Sequence, residues 1–343
     1  MNWLARRVRQ LAETAPGILD QRIKGADILY NSFQSSDVKC DATAKVVGVS
    51  STDALEVGAD STLACSSING ATVKIGKNSR VVLLHVRSSF PTEIVIGDNC
   101  NIYGLTVTGG GPDCAVRIGS NSTLGAVELV VASGVIKIGS NAYVQDSDII
   151  GRSNSIVVEP GATMLEAKLE VLGSLHIGTN FTLASANDNI LSNIDFLANL
   201  WRPLNNYRRA RLLDSERTAL LYVSGSSWNK QANVVFGDNV TVSGVWYIYK
   251  SKQLLLGDNS RMDTRDVGSV SLYCQELTLG KNANLVVSED STLANFLDRG
   301  RSQRHCSWNI GNNATLCIPT LARYCSRGPD MVVPDGNKVG INK

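Results

Sequence analysis

Apolar and other residues alternate in short runs along most of the chain, and many of these runs end in the same small motif. Ile94 and Ile96 alternate as residues of a short β-strand with one buried face do. The tripeptide Gly97-Asp98-Asn99 follows, and Gly and Asn are the residues that best tolerate the left-handed backbone of a tight turn. Leu105 and Val107 then predict a second short strand.

The motif apolar-Gly-x-Asn recurs, and its glycines from Gly58 to Gly178 are 18, 21, 22, 20, 22 and 17 residues apart, with Gly161 included. One coil therefore has about 20 residues, a period typical of solenoids. The motif residues predicted to form the turns are Gly76, Asn78, Gly97, Asn99, Gly119, Asn121, Gly139, Asn141, Gly178, Asn180, Gly237, Asn239, Gly257, Asn259, Gly280, Asn282, Gly311 and Asn313. The sequence predicts an all-β chain, a single-stranded parallel β-helix (β-solenoid) whose coils are stable only in the stack.

Breaks in the repeat divide the chain. The pattern predicts an N-terminal helical cap or anchor at 1–36, β-solenoid coils at 37–183, a partly helical basic and aromatic insertion at 184–234, further coils at 235–318, and a C-terminal cap or tail at 319–343.

Candidate binding residues lie where the repeat breaks. They combine basic with aromatic side chains and are Trp3, Arg6, Arg7, Trp201, Arg202, Tyr207, Arg208, Arg209, Arg211, Arg299, Arg301 and Arg304. Such a set fits three descriptions: a solvated basic face, a contact with another protein, since Arg, Trp and Tyr are the usual anchors, or a site for an anionic ligand. For 1–36, a cap over the open end of the solenoid and a helix docking on a partner both stay open.

Composition narrows the classes of partner. Net charge is +2 and the isoelectric point about 8.1, so global charge argues against nucleic acid as the partner. No apolar run is long enough for a transmembrane segment. Eight cysteines form no C-x-x-C pair, which argues against a metal site, and no cofactor is predicted. The N-terminus has basic residues without the apolar stretch of a signal peptide, so synthesis in a cytoplasm is expected.

The stretch from Ile94 to about Leu183 resembles the hexapeptide-repeat acyltransferases, especially capsule-type sugar O-acetyltransferases, whose early coils read Ile-Gly-Asp-Asn-Cys. The resemblance implies a loop histidine that deprotonates an acceptor hydroxyl for attack on acetyl-CoA. His305 is the loop histidine that could fill this role, although the family's usual neighbours of that residue are missing. Those left-handed coils vary little in length, whereas spacings of 17 to 23 residues favour a right-handed helix here.

The repeats also resemble viral (phage) β-helical surface proteins, and glycan-cleaving β-helices such as tailspikes use paired carboxylates. Asp146 with Asp148, and Asp263 with Asp266, are the candidate pairs.

The function expected from these features is a non-enzymatic structural or interaction protein of a larger assembly. A phage or viral particle component, such as a surface, tail or decoration protein, fits best, because it combines a surface-type β-helix with cytoplasmic synthesis. Its partners would be other subunits, with a homotrimer and a glycan ligand both open. The alternatives are a sugar O-acyltransferase or degenerate relative, and a glycan-binding or glycan-cleaving β-helix.

Overall fold

The computed structural model describes residues 37–40, 42–43, 45–47, 50–51, 54–70, 72–88, 92–109, 113–184, 220–225, 231–263, 269–286, 292–293, 307–318, 330–332 and 338–341. These residues form parallel β-strands and no helix. The predicted fold class, an all-β parallel solenoid with coils of about 20 residues, is confirmed. The predicted helical cap at 1–36 lies outside the described residues, as does most of the predicted insertion. Right-handedness stays a prediction.

The strands are β1 Asp37–Cys40, β2 Lys45–Val47, β3 Ser50–Ser51, β4 Ala54–Val57, β5 Thr62–Ile68, β6 Thr72–Ile75, β7 Arg80–Ser88, β8 Glu93–Ile96, β9 Asn101–Tyr103, β10 Thr106–Gly109, β11 Cys114–Ile118, β12 Thr123–Gly125, β13 Glu128–Val131, β14 Gly134–Ile138, β15 Tyr143–Gln145, β16 Asp148–Val158, β17 Thr163–Leu165, β18 Lys168–Ile177, β19 Thr182–Ala184, β20 Leu220–Ser224, β21 Ala232–Phe236, β22 Thr241–Ser243, β23 Val245–Leu256, β24 Arg261–Asp263, β25 Ser269–Leu279, β26 Asn284–Val286, β27 Thr292–Leu293, β28 Ser307–Ile310, β29 Thr315–Ile318, β30 Asp330–Val332 and β31 Lys338–Ile341.

Each complete coil has three strands, one on each of three faces. Face A holds the strands that lead into the Gly-x-Asn turn, such as β11; face B holds those that follow it, such as β12; and face C holds the third strand, such as β13. Longer strands such as β16 run from face C into face A. Every strand pairs in parallel with its equivalents in the neighbouring coils, so Ile118 lies between Ile96 and Ile138.

Alternate side chains of all three faces point inward and form a continuous apolar core. On face A, Ile96, Ile118 and Ile138 are at most 2% exposed and lie one above another. Each fully buried aliphatic side chain contributes about 1.5–3 kcal/mol relative to an exposed one. A single coil has no second layer against which to bury these residues, so the stack supplies the stability.

The turn between face A and face B, which we name the Asn corner, has a separate steric reason for each motif residue. Its asparagines adopt left-handed φ values, for example 57° at Asn99. The motif glycines are needed for close approach instead: a Cβ at Gly119 would lie 2.4 Å from the carbonyl carbon of Gly97. The sequence argument that Gly supplies positive φ is therefore wrong for this position, because the following Asn takes that conformation.

Asparagine side chains along this corner form a ladder. The Nδ2 group of Asn99 donates to Oδ1 of Asn78 at 3.1 Å, and Asn78 donates in the same way to Asp60 at 2.9 Å. Asn141 and Asn121 repeat the contact at 3.3 Å. Coils are thus joined at the corner by side-chain as well as backbone hydrogen bonds.

The sequence spacing counts Gly161 as a motif glycine, but in the structure Glu159 occupies the Gly position of the turn Glu159-Pro160-Gly161. The amide of Glu159 donates to Ile138, just as that of Gly139 donates to Ile118. Gly161 takes a φ of 78°, so it occupies the Asn position and not the Gly position. The apparent spacings of 22 and 17 around Gly161 arise from aligning the wrong residue.

Coils also extend into ranges that lack the motif. Strand β20 lies inside the predicted insertion at 184–234, yet it pairs with β18 and β23. Strands β30 and β31 lie inside the predicted tail at 319–343 and pair with β28 and β29. Main-chain pairing continues where the turn motif does not, and the repeat motif alone cannot report it.

Candidate binding face

Length variation is unevenly distributed among the three corners. In the described coils from Val57 onward, the Asn corner keeps one two-residue turn. The corner between faces B and C lengthens where β19 ends at Ala184 and β20 begins at Leu220. The corner between faces C and A also varies, since 13 residues (294–306) separate β27 from β28 whereas only two join β13 to β14. Both variable corners border face C, and insertions on one side of a solenoid commonly mark its binding surface.

Outward residues of face C form two columns in exact register. The first column contains His85, Thr106, Glu128, Asp148 and Lys168. The second column contains Arg87, Thr108, Val130, Ile150, Glu170, Tyr222 and Tyr247. Neighbouring members of a column are one coil apart, about 4.8 Å.

The first column joins a histidine to carboxylates and a lysine. Burial lowers the pKa of His85, the Arg87 guanidinium lowers it further, and Glu128 opposes both effects. At the other end of the column, Lys168 Nζ lies 2.7 Å from a carboxylate oxygen of Glu170 in the second column. The pair is partly exposed, so its contribution to stability is small, about 0–1 kcal/mol.

The second column becomes aromatic in its last two members, which belong to later coils of the chain. Tyr222 and Tyr247 face outward on adjacent coils, with ring centroids 6.1 Å apart and planes tilted by 49°. We name these two residues the tyrosine platform. Both rings are partly exposed.

The turn from face B to face C carries acidic residues in strained backbone. Asp146 and Glu166 lie one coil apart with φ values of 48° and 50°. Non-Gly residues in this region cost about 1–2 kcal/mol each. Nearby, burial raises the pKa of Tyr143, and the Asp146 and Glu166 carboxylates raise it further. This corner is therefore acidic.

Asp146, Asp148 and Asp263 are the described members of the predicted carboxylate pairs, and each has a different environment. Asp146 lies in the turn before face C, and Asp148 lies two residues later between Glu128 and Lys168. Asp263 is at the end of β24 on face B, 5% exposed and ion-paired with Arg261. Four coils separate it from the Asp146 turn, roughly 19 Å at about 4.8 Å per coil.

The remaining predicted site residues lie outside the described residues. These are His305, Asp266, Trp3, Arg6, Arg7, Trp201, Arg202, Tyr207, Arg208, Arg209, Arg211, Arg299, Arg301 and Arg304. Their roles in catalysis or binding stay predictions.

Sequence reasoning missed the tyrosine platform. The signal was present, since Leu221-Tyr222-Val223 and Trp246-Tyr247-Ile248 share the order apolar, Tyr, apolar. In the structure the flanking residues of both triplets are at most 1% exposed. The first triplet lies in the range assigned to the insertion, and no Gly-x-Asn motif precedes it directly, so its alignment with the second was not visible.

Two cysteines of the described residues are explained by packing. Cys100 and Cys114 are fully buried, and burial raises the pKa of both thiols. The Cys100 thiol donates to the Gly76 carbonyl oxygen at 3.4 Å. A buried protonated thiol is a poor nucleophile, so these two residues stabilise the coil stack.

Comparison with protein-family models, with curated proteins and with solved structures gave no match. The resemblance to hexapeptide-repeat acyltransferases and viral β-helices therefore rests on the repeat motif itself. Within the ranges that the structure describes, no helix is long and apolar enough to cross a membrane.

Proposed function

We propose that the chain is a non-catalytic structural and interaction protein of a larger assembly, and that it contacts its partners through face C and the two corners beside it. The observation that carries this proposal is the contrast between corners. The Asn corner has a fixed turn with close backbone contacts, whereas both corners beside face C change in length. In repeat proteins, recognition is commonly built on the variable side of a constant scaffold.

The environment of the described carboxylates supports a non-catalytic role. Glycoside hydrolysis needs two carboxyl groups about 5–9.5 Å apart across the scissile bond. Asp263 is buried and ion-paired with Arg261, and Asp148 lies in register between Glu128 and Lys168 on face C. A phage or viral particle is the assembly that the composition and the repeat resemblance favour, with other protein subunits, including further copies of this chain, as partners.

The variable corner provides the test. Residues 185–219 are replaced by Glu-Ala, the residues (Glu166 and Ala167) that join face B to face C one coil earlier. Because the strands on both sides pair in register with that coil, we expect the solenoid to fold, with its β-sheet circular dichroism band and cooperative thermal unfolding retained. The variant should be lost from sedimenting particles in cells that make the assembly.

The control is Lys77→Ser, which changes an exposed residue of the Asn corner and should sediment with particles as the wild-type chain does. A folded 185–219 replacement that still sediments with particles would refute the proposed role of this corner.

The acyltransferase alternative has its own readout. A chain without a coenzyme site gains no stability from excess acetyl-CoA, whereas a ligand at 100 times its Kd would add about 2.7 kcal/mol. We expect the thermal midpoint to be the same with and without acetyl-CoA. A clear upward shift would favour the transferase.

A further inference from the structure

The tyrosine platform has the geometry of a ligand surface and not of a core contact. Tyr222 and Tyr247 occupy outward positions of adjacent paired strands, and each ring keeps part of its surface in solvent. Tyrosine offers an apolar ring face together with a hydroxyl group, which suits a ligand that is itself apolar on one side and polar at its edges.

The platform stands on a rigid base. Directly beneath it, the inward residues Leu221, Val223, Trp246 and Ile248 are at most 1% exposed. Main-chain pairing fixes the register of the two strands that carry them. The main chain that carries the rings is therefore ordered before any ligand arrives, so binding does not have to order the backbone of the site.

Polar groups lie beside the rings. Glu170 precedes Tyr222 in the same column, and its ion pair with Lys168 places acceptor and donor groups next to an aromatic surface. Further along the column, Ile150 and Val130 continue the partly apolar strip. Stacking faces with flanking hydrogen-bonding groups are suited to sugar rings, whose C–H faces are apolar and whose hydroxyls lie at the rim.

Charge selects among ligands that stack on aromatic rings. Among the described residues between Val130 and Tyr247, face C carries the carboxylates of Glu128, Asp148 and Glu170 against the cations of Lys168 and Arg152. Single-stranded nucleic acids need a positive groove along their backbone, which this balance does not provide. The charge pattern therefore favours a neutral ligand over a polyanion.

We propose that the tyrosine platform, with the Lys168–Glu170 pair, binds a neutral polysaccharide that runs along the solenoid axis. Coils repeat at about 4.8 Å, a distance similar to the length of one hexopyranose unit in an extended chain. Successive sugars would then meet successive coils, Glu170 first and the two tyrosines after it. This inference rests on the proposal that face C is the interaction surface, and it adds the chemical class of a ligand.

The test is calorimetric titration of the purified full-length chain. The probes are neutral hexasaccharides: β-1,4-glucan, β-1,3-glucan, β-1,4-mannan, β-1,4-galactan and α-1,4-glucan. We expect at least one to bind. Tyr222→Ala and Tyr247→Ala should each weaken that binding about tenfold, because each removes one aromatic ring from the surface on which a sugar would stack. Tyr222→Phe keeps the ring and should bind within about threefold of wild type.

Tyr143→Ala is the matched control, because Tyr143 is also an outward tyrosine but lies on face B. It should leave the affinity unchanged. If Tyr222→Ala unfolds, Tyr222→Leu replaces it, since leucine keeps an apolar cover and lacks the aromatic ring.

The inference is overturned if none of the five hexasaccharides binds, if both alanine variants bind as wild type does, or if a thymidine hexanucleotide binds more tightly than every sugar. These outcomes are separate from the assembly test, which uses particles and the 185–219 replacement. A chain that binds no sugar and still loses assembly on replacement would refute the polysaccharide and support the interaction role.

Discussion

At the scale of single residues, the Asn corner depends on glycine and asparagine for different steric reasons. Gly119 is required because any side chain there would overlap the backbone of the coil before it. Asn99 is favoured because it accepts a left-handed φ and donates to Asn78. Gly161 occupies the Asn position of its turn, where the backbone has a left-handed φ.

Two glycine substitutions distinguish the Gly position of the turn from the Asn position. Gly119→Ala should lower stability by about 1–3 kcal/mol, because the new Cβ has to displace backbone atoms. Gly161→Asn should change it by less than about 1 kcal/mol, since Asn accepts positive φ and only the Asn141 side chain must turn aside. Urea unfolding measures both. Equal losses would contradict the assignment of phase at Gly161.

The asparagine ladder can be tested apart from backbone strain. Asn99→Gly keeps the left-handed backbone and removes the contact with Asn78, so we expect a loss of about 1 kcal/mol. Asn99→Ala adds about 1–2 kcal/mol of strain to that loss. We expect the unfolding midpoint to be highest for wild type, lower for Asn99→Gly and lowest for Asn99→Ala. An Asn99→Ala variant as stable as Asn99→Gly would disprove the contribution of backbone strain.

His85 makes stability depend on pH. Its folded pKa is lowered below the reference value of 6.5, first by burial and then by Arg87. Below pH 6.5 the unfolded chain therefore binds a proton that the folded chain does not, and stability falls as pH decreases through this window. His85→Gln should lose less thermal stability than wild type between pH 7.5 and pH 5. Parallel curves for the two proteins would contradict the effect.

At the scale of elements, the Asn corner and the corner between faces C and A should differ in tolerance to insertion. Gly-Ser-Gly placed between Asp98 and Asn99 would break the turn and the ladder, so we expect a large fall in the thermal midpoint. The same insertion between Ala132 and Ser133 should be tolerated, because the equivalent corner one coil earlier, between Gly109 and Cys114, is already longer. Equal tolerance at both sites would contradict the contrast between the constant Asn corner and the variable corners, which supports face C as the interaction surface.

The elements also show which parts of the fold the sequence predicts and which it does not. The turn motif is readable because sterics restrict it to Gly and Asn, and it identified the solenoid and the length of its coils. Strand β20 was not readable, since main-chain pairing imposes no residue type beyond apolar alternation. The tyrosine platform needs the register between β20 and β23, and β20 follows 35 residues (185–219) without the repeat motif, so the sequence does not show which coil it belongs to.

At the scale of the whole molecule, the described coils form a solenoid with one constant edge and one variable side. The constant edge, the Asn corner, holds the coils together through backbone and side-chain hydrogen bonds. The variable side, face C with its two corners, carries the charged column and the tyrosine platform. We propose that this protein contacts its partners through the variable side only.

Two arginine substitutions in one strand test that claim most directly. Ile150 on face C and Val157 on face A both belong to β16, and both are partly exposed outward residues. Arginine at either position should leave the fold intact, since neither side chain points into the core. The measurement is the fraction of each variant that sediments with the assembly. Ile150→Arg should be lost from it and Val157→Arg retained; loss of Val157→Arg with retention of Ile150→Arg would contradict the account.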